Sequence, residues 1–170
     1  GYTKINPDED TISSGLISKK LLLSKIEIAL AGRAAETIVF GKNEITQCSI
    51  NDISYATNIV REMVTKYGFS VIGPVSLESN NDTLIGDGFI RNKSTIADNT
   101  YSKIDNEIIN ISKISLQNSM NLILKNRILL EKLVEILLNK ETIENKTFKK
   151  ITFDFLKVWL NTFNLNSFPW

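Results

Sequence analysis

Apolar residues recur at intervals of three and four along residues 16–40, which is the spacing of one face of an α-helix. The stripe consists of Leu22, Ile26, Ala29, Leu30, Ala34, Ile38 and Phe40. Alanine and glycine are concentrated between residues 29 and 35, which predicts a face small enough for another helix to approach closely. Gly41 follows the stripe and is a natural helix stop. The pattern therefore predicts a tightly packed helix from Leu16 to Phe40.

A second amphipathic pattern follows a polar loop and predicts a helix from Asp52 to Tyr67, closed by Gly68. Its apolar face consists of Ala56, Ile59, Val60 and Met63, and its polar face carries Arg61, Glu62 and Lys66. Residues 69–88 then combine short apolar runs with Gly, Asn and Asp. That mixture predicts a hairpin or an irregular loop.

The C-terminal half is also helical by this criterion. Isoleucine, leucine and methionine recur at helical spacing from about residue 95 to 126, and asparagine and serine are expected on the outer face. Residues 126–141 predict a strongly apolar helix. Residues 141–160 predict two shorter helices, because Thr142 and Thr147 stand where N-caps would. We therefore predict a mainly α, bundle-like fold with an irregular or short β-hairpin middle segment.

Composition and charge narrow the function only slightly. With 170 residues, 42% of them apolar, the chain is long enough for one domain with a sizeable core. Twenty basic and nineteen acidic residues nearly cancel, which gives no reason to expect nucleic acid as a partner. No stretch approaches the roughly 20 apolar residues that span a bilayer. The first residues do not resemble a signal peptide.

Asp52 is the main candidate for chemistry, and two interpretations stay open. As the first residue of a helix, its carboxylate can accept backbone N–H hydrogen bonds, a cap that stabilises by about 0.5–2 kcal/mol. The cap is the simpler interpretation, and a metal ligand is the alternative. Cys48 could share a zinc ion with Asp52, but two ligands make a poor site and the chain has no histidine. A small buried thiol is the expected role of Cys48, the only cysteine.

Five blocks of sequence resemble the peptidase (M41-type) domain of the FtsH family of membrane-anchored AAA+ ATP-dependent zinc metalloproteases. The blocks follow the family's order and approximate spacing. They are GYTKINPDEDTISSGLISKKLL, ALAGRAAETIVFG, NDISYATNIVREMVTKYGFS, IGPVSL and the segment that ends in KNRILLEKLVEILLNKETI. The resemblance implies an FtsH-like peptidase domain over residues 1–151, with residues 152–170 left as a C-terminal helix and irregular tail.

The resemblance implies a role for Asp52. In the family, an HExxH helix supplies two histidine ligands to zinc and a glutamate that activates the bound water, and an Asp in the NDxxxAT block completes the site. Asp52 matches that Asp and is therefore implied to be the third zinc ligand, with Asn51 in an outer role at most. The cap and ligand interpretations are compatible, because a carboxylate at a helix start can serve both purposes.

The resemblance also places parts of the protein before Gly1. These are the HExxH helix, the ATPase module with its ATP and magnesium, and the membrane anchor. Because both imidazoles are lacking, we expect this chain alone to bind no zinc and to be inactive. In the isolated chain, Asp52 should instead cap its helix near Tyr55, beside an exposed apolar groove.

As a function, the resemblance implies an ATP-dependent zinc endopeptidase that degrades unfolded or membrane proteins. The QCSI run and the absence of histidine favour an alternative, a proteolytically inactive subunit that serves as a scaffold in an AAA+ motor. The chain departs from the family pattern at two positions. The family's GGR is AGR here, with Ala31 for glycine, and its TGASND loop is QCSIND, with Cys48 for glycine.

The resemblance further implies a homo- or hetero-hexamer of FtsH-like subunits. The small-residue stretch at 29–35 and the apolar run Leu129–Leu138 are candidate packing surfaces, although ordinary core is the expected role of both. A composition rich in Asn, Ile and Lys suggests an AT-rich genome. It favours the membrane of a plastid-type organelle over a bacterial inner membrane.

Overall fold

The computed structural model describes residues 16–75 and 98–162, and these residues are mainly helical. The helices are α1 (Lys19–Val39), α2 (Ile50–Thr65), α3 (Asp98–Lys125), α4 (Arg127–Lys140) and α5 (Asn145–Thr162), with short 3₁₀ turns at Lys42–Glu44 and Gln47–Ser49. No strand occurs in the two described ranges. Most of the segment predicted as a hairpin or loop lies at residues 76–97, outside the described residues. The prediction of a mainly α fold is confirmed.

Helix α1 forms close to its predicted position. The Ser18 hydroxyl accepts a hydrogen bond from the backbone N–H of Leu21 at 3.2 Å and caps the first turn. At the other end, Gly41 follows the last turn with a φ of +91°, a conformation that favours glycine. Phe40 lies outside the helix and is 65% exposed, so the buried stripe is shorter than the apolar pattern. Its buried members are Leu22, Ile26, Leu30 and Ala34.

The small-residue face of α1 packs less tightly than the sequence predicts. Ala34 is fully buried, but Gly32 faces solvent. A Cβ atom added at Gly32 would have no neighbour within 4 Å. The glycine therefore does not mark a close helix contact.

The core of the first compact unit, residues 1–121, forms where α1, α2 and α3 meet. The predicted apolar face of α2 is buried as expected, and α3 adds Ile104 and Ile108. Each fully buried large apolar side chain contributes about 1.5–3 kcal/mol, so this cluster dominates the stability of the unit. The α2 contribution comes from Ala56, Ile59, Val60, Met63 and Val64.

Two serines in α3 correct the prediction that serine lies on its outer face. Ser115 and Ser119 are buried, one helical turn apart. The Ser119 hydroxyl lies 2.8 Å from the carbonyl oxygen of Glu27 in α1 and 2.9 Å from that of Ser115, and its one proton is shared between these two acceptors. A serine can be buried here because its hydroxyl finds acceptors, and its small volume lets α3 contact α1.

The second compact unit covers residues 122–170 and contains α4 and α5. No residue of α4 is fully buried, so the expected core role of its apolar run is wrong for this chain. Residues 145–162 form one helix instead of two, and Thr147 lies inside it. Because no glycine or proline interrupts this stretch, a cap-type residue alone does not break the helix. The boundary proposed at residue 151 stays a prediction.

Within the described ranges, no helix is long and apolar enough to cross a membrane.

Candidate functional site

Asp52 lies in the first turn of α2, which begins at Ile50, two residues earlier than the pattern predicts. Ser49 occupies the N-cap position and makes no side-chain capping hydrogen bond. The Asp52 side chain is exposed, and it has no hydrogen-bond or ion-pair partner among the described residues. The prediction that Asp52 caps its own helix near Tyr55 is therefore wrong. Its charge still lies at the helix end where the backbone dipole favours an anion.

The first turn of α2 exposes apolar side chains beside the carboxylate. Ile50 is 64% exposed, Ile53 38% and Tyr55 52%. Asn51 is exposed as well, and Ala56 is the first buried residue of the helix. Exposed apolar side chains thus lie beside Asp52, and the apolar groove expected there stays a prediction.

The thiol of Cys48 is free and exposed, so the prediction of a buried cysteine is wrong. Cys48 lies in the 3₁₀ turn Gln47–Ser49 that leads into α2. The buried residue of that turn is Ser49, whose Oγ has no hydrogen-bond partner in the described structure. The apolar character of the cysteine does not decide its burial, because the turn itself runs along the surface.

A polar cluster on the last two turns of α1 holds the residue before this turn. The Arg33 guanidinium donates through Nη1 to the carbonyl oxygen of Thr46 at 2.9 Å. Glu36 Oε1 accepts two hydrogen bonds from Thr46, one from its hydroxyl and one from its backbone N–H at 3.3 Å. The Thr46 hydroxyl oxygen also accepts from the N–H of Cys48 at 3.3 Å. We name the contacts among Arg33, Glu36 and Thr46 the Thr46 anchor.

Glu36 is the least exposed charged group of the anchor. Its second oxygen, Oε2, is buried and accepts no hydrogen bond within the described residues, although Arg33 Nη1 lies 3.9 Å away. Leaving a buried acceptor unpaired costs about 1–3 kcal/mol, which the adjacent guanidinium partly offsets. Sequence reasoning missed the anchor. The available signal is the Arg and Glu within GRAAE, a block whose alanine and glycine residues suggest only close helix packing.

The first turn of α2 is separate from a pocket elsewhere in the described structure and belongs to no cluster of metal-ligating side chains there. A pocket of about 280 Å³ has Lys19, Phe69 and Glu107 among its lining residues, and no residue from 48 to 55 lines it. Across residues 16–75 and 98–162, no three His, Cys, Asp or Glu side chains come together as a metal site. Asp52 can therefore supply one ligand to a metal, and the described residues do not complete its coordination.

Comparison with known proteins gives one consistent result. Residues 1–151 match the model of peptidase family M41. The chain is 36% identical over 153 residues to an ATP-dependent zinc metalloprotease FtsH of Trieres chinensis, covering 89% of this chain and 23% of that protein. It is 38% identical over 151 residues to the Cyanidium caldarium FtsH, covering 89% and 24%. It is 36% identical over 161 residues to the chloroplastic FTSH 2 of Arabidopsis thaliana, covering 93% and 22%.

These matches extend over most of the chain and over a short part of each relative. The chain spans less than a quarter of the length of the three proteins. The family assignment does not depend on that share, because the family model covers 151 consecutive residues of this sequence, including all of α1, α2, α3 and α4. The chain belongs to peptidase family M41, the peptidase domain of FtsH.

Proposed function

We propose that Asp52 is the carboxylate ligand of a catalytic zinc ion in an ATP-dependent metalloendopeptidase that acts on unfolded or membrane proteins. The observation that carries the proposal is the state of Asp52. It is an exposed carboxylate at a helix start, and no residue in the described structure engages it. A carboxylate that caps its own helix would be expected to accept hydrogen bonds from the backbone N–H groups there.

The chemistry of the donor fits one position of a catalytic zinc site. Such sites use three protein ligands and leave a fourth position for water or substrate, and a carboxylate oxygen is an accepted ligand. The chain has no histidine, so the two imidazole ligands are assigned to an HExxH helix outside this sequence. When bound, zinc supplies Lewis acidity at the peptide carbonyl and lowers the pKa of its water.

The residues of this chain orient the site. The first turn of α2 carries the Asp52 carboxylate. The exposed Ile50, Ile53 and Tyr55 offer an apolar surface for the helix that carries the imidazoles, which would keep bulk water away from the ligand. Asn51 is assigned at most a hydrogen bond to a group that holds the metal.

The test replaces Asp52 in the full-length protein. Asp52→Asn keeps the side-chain shape and removes the charged ligand. Loss of an outer hydrogen-bond partner already weakens metal binding by about 10–100-fold, so loss of a direct ligand should exceed that range. We expect zinc, measured by elemental analysis after dialysis, and casein degradation to be lost, while ATP hydrolysis is largely retained. Asp105→Asn, at an exposed aspartate of α3, is the matched control. Unchanged zinc content and proteolysis in Asp52→Asn would refute the proposal.

A proteolytically inactive scaffold subunit is the second candidate. It is favoured by Cys48, an exposed cysteine where the family loop has glycine, and by the absence of histidine from the chain. The upstream sequence and one assay separate the two functions. An intact HExxH and casein turnover with ATP and zinc support the protease, whereas a degenerate motif with no turnover and no bound zinc supports the scaffold.

Assembly and location follow from the same proposal. We assign the full-length protein to a hexameric ring of FtsH-like subunits, anchored in a membrane by a segment outside this sequence. The exposed apolar side chains of α4, with Leu138 at 80% exposure, offer surface for subunit contacts. A plastid-type membrane is the assigned location, in keeping with the chloroplastic relative. Sedimentation of the full-length protein as a single-subunit species would contradict the ring.

A further inference from the structure

The end of α2 that carries Asp52 has little to hold it in place. Every side chain from Ile50 to Tyr55 is exposed, and core packing of the helix begins only at Ala56. The N-cap residue Ser49 makes no side-chain hydrogen bond to the helix. Helix ends without caps or packing open locally at low free energy. A metal ligand in such a turn needs another source of rigidity, because ligand geometry must be fixed before the metal arrives.

The Thr46 anchor supplies a fixed point six residues before Asp52. All the hydrogen-bonding groups of Thr46 are used. Its N–H and hydroxyl donate to Glu36, its carbonyl accepts from Arg33, and its hydroxyl oxygen accepts from the N–H of Cys48. Both partners of Thr46 belong to α1, whose opposite side is buried in the core. The anchor therefore ties the start of the turn to a helix whose other side is packed in the core.

The chain between Thr46 and Asp52 has little slack. Residues 47–49 form a 3₁₀ turn whose N-cap is Thr46, and α2 begins at the next residue. Two consecutive regular elements transmit a displacement at Thr46 to Asp52, because neither contains a glycine or a free loop residue that would absorb it. The polar contacts at Thr46 are thus placed to influence the position of a carboxylate that they do not touch.

We propose that Arg33, Glu36 and Thr46 are positioning residues for Asp52, with Thr46 as the residue that links α1 to the metal-binding turn. This inference rests on the proposed function, in which Asp52 is the zinc ligand. It assigns to the charged residues of the GRAAE block a role that differs from helix packing. They hold the turn that carries Asp52 in place without contacting the metal.

The test is Thr46→Val in the full-length protein, which removes the hydroxyl and keeps the side-chain shape. Thr57→Val is the matched control, since the Thr57 hydroxyl donates only within its own helix, to the Ile53 carbonyl. Thr46→Ser restores the hydroxyl and should rescue the wild-type behaviour. Glu36→Gln, which weakens the acceptor without removing it, is a second variant should Thr46→Val lose its fold.

Two measurements are made on each variant. Hydrogen–deuterium exchange of the zinc-free protein should be faster, by about tenfold or more, in peptides covering residues 46–55 of Thr46→Val, and unchanged in Thr57→Val. Zinc affinity, measured by competition with a chromogenic chelator, should fall by about tenfold, the lower end of the range for outer residues. Glu36→Gln should show smaller changes of the same sign.

The outcomes separate this inference from the proposed function. If Asp52→Asn loses zinc while Thr46→Val keeps both its zinc affinity and its exchange protection, the positioning role is overturned and the ligand assignment stands. If Asp52→Asn keeps zinc, the ligand assignment fails. Failure of Thr46→Ser to restore zinc affinity would also overturn the inference, because the hydroxyl would then not be the group that matters.

Discussion

Gly68 offers the sharpest test of the backbone geometry, because it ends α2 with a φ of +63°. Its neighbour Phe69 donates its N–H to the Met63 carbonyl at 2.9 Å and closes the helix end. A Cβ added at Gly68 would lie 2.7 Å from the Cα of Pro74, which is backbone and cannot rotate away. The left-handed conformation costs alanine about 1–2 kcal/mol, and relieving the overlap costs about 1–3 kcal/mol. Gly68→Ala should therefore destabilise the fold by roughly 2–5 kcal/mol.

Gly32→Ala is the matched control and should have the opposite sign. Gly32 lies inside α1 with open space around it, so a methyl group meets nothing and the unfolded chain loses entropy. Alanine is better than glycine in a helix by about 0.5–1 kcal/mol. Urea unfolding followed by far-UV circular dichroism measures both. For a slope of about 2 kcal/mol per molar, the midpoint should fall by roughly 1–2.5 M in Gly68→Ala and rise by roughly 0.3–0.5 M in Gly32→Ala.

Each variant has a result that would refute the reasoning. An unchanged midpoint in Gly68→Ala would mean that the turn from Gly68 to Pro74 relaxes at no cost. A lower midpoint in Gly32→Ala would mean that the α-carbon of Gly32 is in close contact, as the small-residue pattern of the sequence predicts.

Two further predictions concern burial. Ser119→Ala removes the buried hydroxyl that joins α3 to the Glu27 carbonyl and should destabilise by about 1 kcal/mol. Ser112→Ala, which loses only a bond to the Ile108 carbonyl in its own helix, should cost less in the same urea assay, and equal losses would contradict the interhelical role. Cys48 is exposed, so a thiol reagent should label the native protein at one equivalent per chain without denaturant, whereas labelling only after unfolding would show that the thiol is buried.

Hydrophobic periodicity predicted the helices well because it reflects a local rule. The buried positions of α1 and α2 repeat every three or four residues, and polar residues are favoured on the opposite face because it is exposed to solvent. Stop signals were equally local, since Gly41 and Gly68 both adopt positive φ where a helix ends. The prediction of two helices where residues 145–162 form one is wrong, because a threonine such as Thr147 is compatible with both an N-cap and a helix interior. Nothing in the neighbouring residues removes that ambiguity.

The polar part of the structure could not be predicted in the same way, because its partners are distant in sequence. Ser119 is buried on account of a carbonyl 92 residues away, and serine composition alone favours the surface. Thr46 is held by charged residues of the preceding helix, 10 and 13 positions earlier. The role proposed for Asp52 came from a resemblance and not from periodicity. A lone aspartate at a helix start is compatible with a cap until the structure shows that Ser49 occupies the cap position.

In the proposed site, the position of Asp52 separates metal binding from folding. The core of the first unit, from Leu22 of α1 to Ile108 of α3, is complete without any contact from the carboxylate. In small structural zinc sites the binding energy is folding energy, because the ligands have no other framework. Asp52, the proposed ligand, lies on a helix that is packed from Ala56 onward and that follows a turn hydrogen-bonded to α1 through Thr46. With Asp52 as the proposed zinc ligand, removal of zinc should abolish catalysis in the full-length protein while the helices of this unit remain folded, and the Thr46 anchor is the proposed link between the fold and the metal.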